Sequence, residues 1–223
     1  MKKKNLALFD LDDTLFDGDT EGEWVKYMDQ AGLIQDPEFF NEMESFGKSY
    51  RQGDLNVDEY SEFLLSPLVG KSLKELEDKI DIFTSDVTKR LTDELTEELL
   101  LKHRDDTKIL TSGSLTFLVK VIGQKMGIET CFGTDPEYKD NVFTGKVEGS
   151  PNFSEEKVRR IKIWMQSNHF EKIFAYSDSI HDLPLLEFSD IPSAISPDKK
   201  LLKVAEERKW MVEGRRNTTR SLP

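Results

Sequence analysis

One stretch limits the fold of this chain more than any other: residues 6–16, LALFDLDDTLF. A short apolar run leads directly into Asp10 and Asp12, which is typical of a buried strand that ends at a polar site. Because side chains alternate along a strand, both carboxylates leave its end on the same side. Two carboxylates this close repel each other unless a cation such as Mg²⁺ lies between them. An ordinary Asp-rich turn after a buried strand also fits these residues.

Composition narrows the class of protein. The 223 residues, 37% of them hydrophobic, suffice for one large core and a smaller module. With 31 basic and 43 acidic residues, the chain is a poor partner for nucleic acid or an anionic membrane. The N-terminal apolar run is too short for a signal peptide, and no stretch approaches the ~20 apolar residues of a membrane span. Since Cys131 is the single cysteine, no internal disulfide is possible, and we expect a cytoplasmic protein.

Two different patterns follow the first strand. Apolar residues first recur at three- and four-residue spacing, which predicts helices over 21–34, 36–47, 57–66 and 71–101. Strands and helices then alternate. Predicted strands cover 108–111, 172–176 and 191–195, predicted helices cover 115–126, 154–168, 183–188 and 198–209, and a strand with a hairpin turning at Asp140-Asn141 lies within 129–149. The alternation predicts an α/β fold with a doubly wound parallel sheet, whose ligands bind outside the carboxyl ends of the strands.

The helical block therefore interrupts an α/β domain just after its first strand. We expect a core of residues 1–16 and 99–223 and an inserted all-helical cap domain of residues 17–98. The cap holds 22 acidic and 8 basic residues, whereas the rest of the chain holds 21 and 23. A solvated helical surface accounts for this excess of acids. Alternatively, part of the acidic surface faces the substrate and favours a cationic one.

Four polar stretches lie after predicted strands or near a helix start. They are Asp10/Asp12/Thr14, Ser112-Gly113, Lys157, and Asp178 with Asp182. In this order they resemble the motifs of the haloacid dehalogenase (HAD) superfamily of phosphatases. The helical insert resembles the cap of the phosphoserine-phosphatase-like branch, and residues 175–186, AYSDSIHDLPLL, are similar to the last motif of a bacterial subgroup that includes histidinol-phosphatases. The resemblance covers most of the chain and implies a HAD-like core, a Mg²⁺ cofactor and hydrolysis of a small-molecule phosphomonoester.

The resemblance also implies roles for these residues, and the chemistry of phosphoryl transfer agrees with them. Asp10 would attack phosphorus and form an aspartyl phosphate. Asp12 would protonate the leaving alkoxide and then activate water. The Ser112 hydroxyl and the Gly113 N–H would bind the transferring phosphoryl oxygens, with Thr111 as the competing choice for the hydroxyl.

The remaining motif residues would balance the charge of the phosphoryl group and hold the cation. Lys157 would balance the charge between the phosphoryl group and Asp10, although Lys162 and Lys172 compete for this assignment. Asp178 would complete an oxygen ligand set for Mg²⁺ with the Asp10 carboxylate and the Asp12 carbonyl.

Three further residues would lie around this centre. Thr14 and Asp182 would support the ligands from behind, with Asp182 orienting a metal-bound water or Lys157. For His181 two alternatives stay open, a contact with substrate or phosphate and a solvent-exposed loop position.

The identity of the ester depends on the cap. Phosphoserine phosphatases hold their substrate with a cap acid and a cap arginine. This chain has Asp17, Asp19 and Glu21 in the acid region, of which we take Asp19 and Glu21 as substrate-binding candidates. Residues 55–62, where the arginine would fall, contain no basic residue, and Arg51 is the nearest. A substrate carboxylate would therefore lack its partner. This favours an ester with a cationic and no anionic tail, such as histidinol phosphate.

Other classes stay open. Phosphoserine or another amino-alcohol phosphate is the alternative substrate, and a phosphotransferase would pass the phosphoryl group to a hydroxyl other than water. A non-catalytic protein that binds a phosphorylated ligand is disfavoured because both Asp10 and Asp12 are present. The sequence does not reveal the oligomeric state.

Overall fold

A computed structural model describes residues 4–166 and 168–215 of the chain. Its centre is a six-stranded, all-parallel sheet of order β3-β2-β1-β6-β7-β8. The strands of this sheet are β1 (Leu6–Phe9), β2 (Thr107–Leu115), β3 (Thr130–Thr134), β6 (Ile173–Ser177), β7 (Ile191–Ile195) and β8 (Met211–Glu213), and a separate hairpin is formed by β4 (Pro136–Lys139) and β5 (Val142–Val147). The predicted α/β fold with a doubly wound parallel sheet is confirmed.

The α-helices of the described chain fall into two groups. Between β1 and β2 lie α1 (Thr20–Gln30), α2 (Phe39–Gln52), α3 (Val57–Leu65), α4 (Leu73–Leu91) and α5 (Glu94–Lys102). Among the later strands lie α6 (Thr116–Lys125), α7 (Glu155–Met165), α8 (Leu183–Phe188) and α9 (Lys199–Arg208). The predicted bounds of α8 and β7 are confirmed to the residue.

The prediction of one continuous helix over 71–101 is wrong. The backbone becomes extended at Thr92, where ψ is 132°, and α4 ends there. The Asp93 side chain then caps α5 by accepting a hydrogen bond of 2.9 Å from the N–H of Thr96. An acid at this position stabilises a new helix start because it satisfies an N–H that has no partner within the helix.

Strand β1 lies at the centre of the sheet and is buried on both faces. Ala7 and Phe9 belong to one apolar cluster, and Leu6 and Leu8 belong to the cluster on the other face. This explains why the strand is a continuous apolar run. Because β1 pairs with both β2 and β6, the residues that follow these three strands meet at one edge of the sheet.

The β4–β5 hairpin connects the α/β part with the helical insert. Asp140 and Asn141 have φ values of 52° and 64°, which suit a two-residue hairpin turn, and the predicted turn is confirmed. The Phe143 N–H donates to the Lys71 carbonyl, and the Gly70 N–H donates to the Phe143 carbonyl, both at 2.9 Å. The hairpin therefore supports the insert between α3 and α4.

The insert is also anchored through α4. Lys125 of α6 donates to Asp81 and Ser85 of α4, both at 2.8 Å. The predicted boundary between residues 98 and 99 falls inside α5. The division into a core and a cap stays a prediction.

Arg215 closes the described part of the chain. Its guanidinium donates to the Thr14 carbonyl, lies 3.8 Å from Asp17 and forms an ion pair with Asp93. It thus contacts the chain where the helical insert begins and near where it ends. The preceding strand β8 was not predicted. Nowhere in residues 4–166 and 168–215 is a helix both long and apolar enough to cross a membrane.

Candidate active site

A cavity of about 360 Å³ lies between the carboxyl ends of the strands and the helical insert. Most of the predicted site residues line it: Asp10, Asp12, Asp19, Glu21, Gly113, Lys157, Asp178 and Asp182. The side chains of Thr14 and Ser112 are fully buried behind its wall. The structure therefore brings together residues from both sides of the insert.

Lys157 is buried between two carboxylates. Its Nζ lies 2.8 Å from Asp10 Oδ1 and 2.7 Å from Asp182 Oδ2. Ser177 donates a further hydrogen bond of 2.8 Å to Asp182. The competing candidate Lys162 lies elsewhere, over the ring of Phe188.

The charges of this group depend on one another. Burial raises the pKa of Asp10 to about 7, and Asp182 and Asp12 raise it as well, although Lys157 favours the ionised form. Burial disfavours the Lys157 ammonium, but its two carboxylate neighbours outweigh burial and raise its pKa. The lysine is therefore a permanent cation beside Asp10.

Asp12 is held by three donors. Its carboxylate accepts hydrogen bonds from the Thr20 N–H at 2.6 Å, the Ser112 hydroxyl at 3.1 Å and the Ser114 hydroxyl at 3.2 Å. Burial raises the pKa of Asp12 to about 6, and Asp19 adds to this, whereas the hydrogen bonds oppose it. A carboxyl group with a pKa near neutrality can both give and take a proton.

At the end of β2, the hydroxyls of Ser112 and Thr111 have different surroundings. The Thr111 hydroxyl accepts a hydrogen bond of 3.0 Å from Asn152 in the buried interior, whereas the Ser112 hydroxyl contacts Asp12. Ser114, which lines the cavity, was missed by the sequence reasoning. The signal was present, because residues two apart on a strand share a side and Ser114 follows Ser112 at that spacing.

Asp178 and Asp10 are joined by the Thr14 hydroxyl. Thr14 Oγ1 lies 3.0 Å from Asp10 Oδ2 and 3.3 Å from Asp178 Oδ1, and it accepts a hydrogen bond from the Asp178 N–H. Burial raises the pKa of Asp178 well above its ordinary value, and Asp10, Asp13 and Asp182 raise it further. Buried acids this close are stabilised in their ionised form by a cation.

This donor set fits a hard divalent cation, because Mg²⁺ prefers carboxylate, carbonyl and water oxygens. Among the residues that the structure describes, no group of three His, Cys, Asp or Glu side chains converges as metal ligands. A cation beside Asp10 and Asp178 would therefore complete its shell with backbone and water oxygens, as Mg²⁺ does when two carboxylates hold it.

The helical insert contributes two acidic side chains to the cavity, Asp19 and Glu21, which form its acidic wall. The Asp19 carboxylate caps the N-terminus of α1 by accepting hydrogen bonds from the N–H groups of Glu21 and Gly22. A Cβ at Gly22 would lie 2.6 Å from Asp19 Oδ2, so a side chain at this position would displace the Asp19 carboxylate. The Tyr60 hydroxyl donates to Glu21 across 3.0 Å. Burial raises the pKa of Glu21 to about 8, and Asp19 and Asp12 add to this shift.

The cavity does contain a basic side chain, because Arg51 lines it, and the absence of a basic partner for a substrate carboxylate stays a prediction. Helix α2 continues to Gln52, past the predicted end at residue 47, and Gly53 then ends it with φ of 84°. The reversal of the chain at Gly53 brings Arg51 and Tyr60, from either side of the break, to the same cavity.

His181 also lines the cavity, half-buried between two aromatic rings. The centroid of its ring lies 5.2 Å from that of Tyr50 in α2 and 5.0 Å from that of Phe153. Burial lowers the pKa of His181, against the opposing carboxylate of Asp198. His181 is therefore only partly exposed to solvent, and its contact with substrate or phosphate stays a prediction.

Known proteins resemble this chain over most of its length. Residues 7–187 match the model of the haloacid dehalogenase-like hydrolases. A histidinol-phosphatase of Neisseria meningitidis serogroup C (strain 8013) is 32% identical over 218 residues, which are 94% of this chain and 98% of that protein. A phosphoserine phosphatase of Methanocaldococcus jannaschii is 27% identical over 208 residues, 91% of this chain and 90% of that protein.

A crystal structure of a protein of unknown function from Bordetella pertussis Tohama I superposes with a TM-score of 0.86 at 31% identity, covering 95% of this chain and 99% of that one. The predicted resemblance to haloacid dehalogenase phosphatases is thereby confirmed, and the chain is a phosphatase. By motif order, fold and overall similarity, this chain belongs to the haloacid dehalogenase-like hydrolase family.

Proposed function

We propose that this phosphatase is a Mg²⁺-dependent phosphomonoester hydrolase that forms an aspartyl phosphate on Asp10 and acts on histidinol phosphate. One observation carries the proposal. A carboxylate in contact with a buried lysine, at 2.8 Å, lines the same cavity as a second carboxylate, Asp12, whose pKa is near neutrality. These are a nucleophile and an acid/base for phosphoryl transfer.

Asp10 attacks phosphorus, so a bond forms between its carboxylate oxygen and phosphorus as the bond to the ester oxygen breaks. Lys157 already contacts Asp10 and is therefore placed to neutralise the transferring phosphoryl group. The Gly113 N–H would donate to an oxygen of the same group. Mg²⁺, held by Asp10 and Asp178, would supply further positive charge against the phosphoryl oxygens.

Asp12 gives its proton to the leaving alkoxide and then takes a proton from the water that hydrolyses the aspartyl phosphate. The donors Thr20, Ser112 and Ser114 fix its carboxylate, so the group does not have to be ordered during the reaction. Its raised pKa of about 6 means that Asp12 carries a proton at mildly acidic pH and exchanges it readily near neutrality.

The acidic wall of the cavity supports a cationic leaving group. Glu21 and Asp19 lie on the side of Asp12, where the leaving group departs; a protonated amine would pair with Asp19 and, by its charge, would favour the ionised form of Glu21 as a second partner. The N. meningitidis relative, which aligns over 94% of this chain, is a histidinol-phosphatase. Histidinol phosphate carries an amine and an imidazole but no carboxylate.

Phosphoserine is the second candidate substrate, and Arg51 is the specific observation that favours it. A guanidinium on the cavity wall can pair with a substrate carboxylate, while Glu21 pairs with the amine. The M. jannaschii relative is a phosphoserine phosphatase.

The test is phosphate release from histidinol phosphate, phosphoserine, phosphoethanolamine, a sugar phosphate and an aryl phosphate, each with Mg²⁺ and with a chelator. Asp10→Asn is measured beside the wild type. We expect release to need Mg²⁺ and Asp10, and histidinol phosphate to be cleaved fastest.

Each of the other outcomes would change a different part of the proposed function. Faster cleavage of phosphoserine would replace the substrate and leave the chemistry in place. Labelled Asp10 without free phosphate, relieved by an added alcohol, would indicate a phosphotransferase. No cleavage of any ester would overturn the proposed hydrolysis.

A further inference from the structure

Asn152 is a fully buried polar residue between β5 and α7 that no sequence motif singled out. Burying a side-chain amide is costly unless its polar atoms are hydrogen-bonded. The partners of Asn152 therefore indicate what the residue does.

The side-chain amide of Asn152 ties the end of β2 to β3. Its Nδ2 lies 2.9 Å from the Ser112 carbonyl, 3.0 Å from Thr111 Oγ1 and 3.2 Å from the Phe132 carbonyl. Two N–H donors thus serve three acceptors, two of which belong to neighbouring residues of β2. Of these partners, Ser112 is the one that also contacts a candidate catalytic residue, because its hydroxyl donates to Asp12.

The backbone of Asn152 reaches the next carbonyl of β2. Its N–H donates to Thr134 Oγ1 at 3.0 Å, and the Thr134 hydroxyl donates to the Gly113 carbonyl at 2.6 Å. Asn152 therefore holds the carbonyl of Ser112 directly and that of Gly113 through Thr134.

These contacts fix the direction of one N–H group. In a trans peptide the carbonyl and the following N–H point to opposite sides, and the described chain contains no cis peptide. Asn152 binds the Ser112 carbonyl in the buried interior, so the Gly113 N–H is turned to the opposite side. Gly113 is the member of this peptide that lines the cavity.

The residues after Asn152 carry two other parts of the site. Phe153 lines the cavity and packs on His181, and Lys157, in the first turn of α7, contacts Asp10. Between them, Ser154 has φ of 50° and ψ of −121°, a conformation that is sparsely populated and persists only when surrounding contacts hold it.

We propose that Asn152 is a positioning residue for phosphoryl transfer. It orients the Ser112–Gly113 peptide toward the phosphoryl group and holds that peptide in register with Lys157. This role rests on the proposed function, since Gly113 and Lys157 act on the phosphoryl group there.

The test compares Asn152→Asp and Thr134→Val with the wild type in Mg²⁺. Asn152→Asp keeps the shape but places a carboxylate against carbonyl oxygens. We expect kcat/KM for phosphate release to fall about tenfold or more, because small displacements of positioned groups are costly. The inhibition constant of inorganic phosphate should rise as well. At lower pH the introduced carboxyl group becomes protonated and regains one donor, so the ratio of variant to wild-type activity should increase.

Thr84→Val is the matched control. Thr84 is equally buried, and its hydroxyl donates to the Ile80 carbonyl within α4. It should lose stability but keep the kcat/KM and phosphate inhibition of the wild type.

If Asn152→Asp folds and keeps the wild-type kcat/KM and phosphate inhibition constant, Asn152 has no positioning role. If it does not fold, Asn152→Ser and Thr134→Val decide together. Asn152→Ser removes the bond to the Ser112 carbonyl without adding a charge, and Thr134→Val removes the hydroxyl that links the Asn152 N–H to the Gly113 carbonyl. Unchanged kinetics in both variants would overturn the role. If the wild type cleaves no ester, the proposed function fails by itself, and calorimetric binding of inorganic phosphate to both proteins tests Asn152. Equal or absent binding would then refute the positioning role.

Discussion

Lys157 in α7 lies 2.8 Å from Asp10 at the end of β1, although 147 residues separate them in the sequence. The same ammonium lies 2.7 Å from Asp182, and all three side chains are almost completely buried. The lysine therefore contributes to the stability of the fold, because without it two carboxylates would be buried with no cation.

We expect Lys157→Met to abolish phosphate release and to lower the free energy of unfolding by about 3–5 kcal/mol, the usual cost of removing one partner of a buried ion pair. Urea unfolding at neutral pH measures the loss. The loss should shrink at lower pH, where Asp10 is protonated. Lys162→Met, on the exposed side of the same helix, should change the stability by less than about 0.5 kcal/mol. Equal stabilities of the two variants would contradict a buried ion pair.

Asp12→Asn tests the proton-transfer step. The amide keeps the shape of the carboxylate but can neither give nor take the proton, so release from an alkyl ester should fall by about 10²–10⁴-fold. With an aryl ester, whose leaving group needs no acid, the phosphoenzyme should form and persist. Acid quenching followed by intact-protein mass measurement detects it. Phosphate release at the wild-type rate from an alkyl ester would exclude Asp12 as the acid/base.

Glu21 should make the stability depend on pH. Its pKa rises from an ordinary 4.5 to about 8 in the folded protein, so between these values the unfolded chain loses the proton first. The folded state then binds more protons, and its stability falls as pH rises, by at most about 1.4 kcal/mol per pH unit.

The measurement is urea unfolding of Glu21→Gln and wild type from pH 4.5 to 8.5. The variant should lack this contribution, so its stability relative to the wild type should increase with pH and level off above pH 8. Glu62→Gln, an exposed acid of α3, is the control and should run parallel to the wild type. A constant difference between Glu21→Gln and wild type would show that Glu21 ionises normally.

Arg51→Gln separates the two substrates. If Arg51 pairs with a substrate carboxylate, KM for phosphoserine should rise about tenfold or more, since a charge-assisted hydrogen bond contributes about 1.5–3 kcal/mol. KM for histidinol phosphate, which has no carboxylate, should stay the same. Arg90→Gln, in an exposed ion pair of α4, controls for the change in charge. An equal change for both esters would rule out carboxylate recognition by Arg51.

Local patterns predicted much of this molecule. The apolar run of β1, the turn at Asp140-Asn141 and the bounds of α8 and β7 follow from side-chain periodicity and turn chemistry, which are properties of adjacent residues. The three-residue strand β8 was missed because its apolar residues, Met211 and Val212, are largely exposed and show no burial pattern.

The candidate site likewise contains residues that the sequence motifs predicted and residues that they missed. Asp10, Asp12, Lys157 and Asp178 were predicted because each stands in a motif of fixed spacing. The placement of Arg51 depends on how α2 and α3 fold back around Gly53, which spacing along the chain does not show. Asn152 was not predicted for a related reason, since its hydrogen-bond partners lie 18 to 41 residues away in the sequence.

Arg215 has a consequence for shortened forms of the protein. A single guanidinium touches the motif loop at Thr14, the beginning of the insert at Asp17 and its far end at Asp93. A chain truncated before Arg215 would retain every motif residue of the cavity and all of the insert. It would nevertheless lose the side chain that contacts Thr14, Asp17 and Asp93 together. Domain boundaries drawn from the motifs alone would therefore yield a protein that looks complete and is loosened where its two parts join.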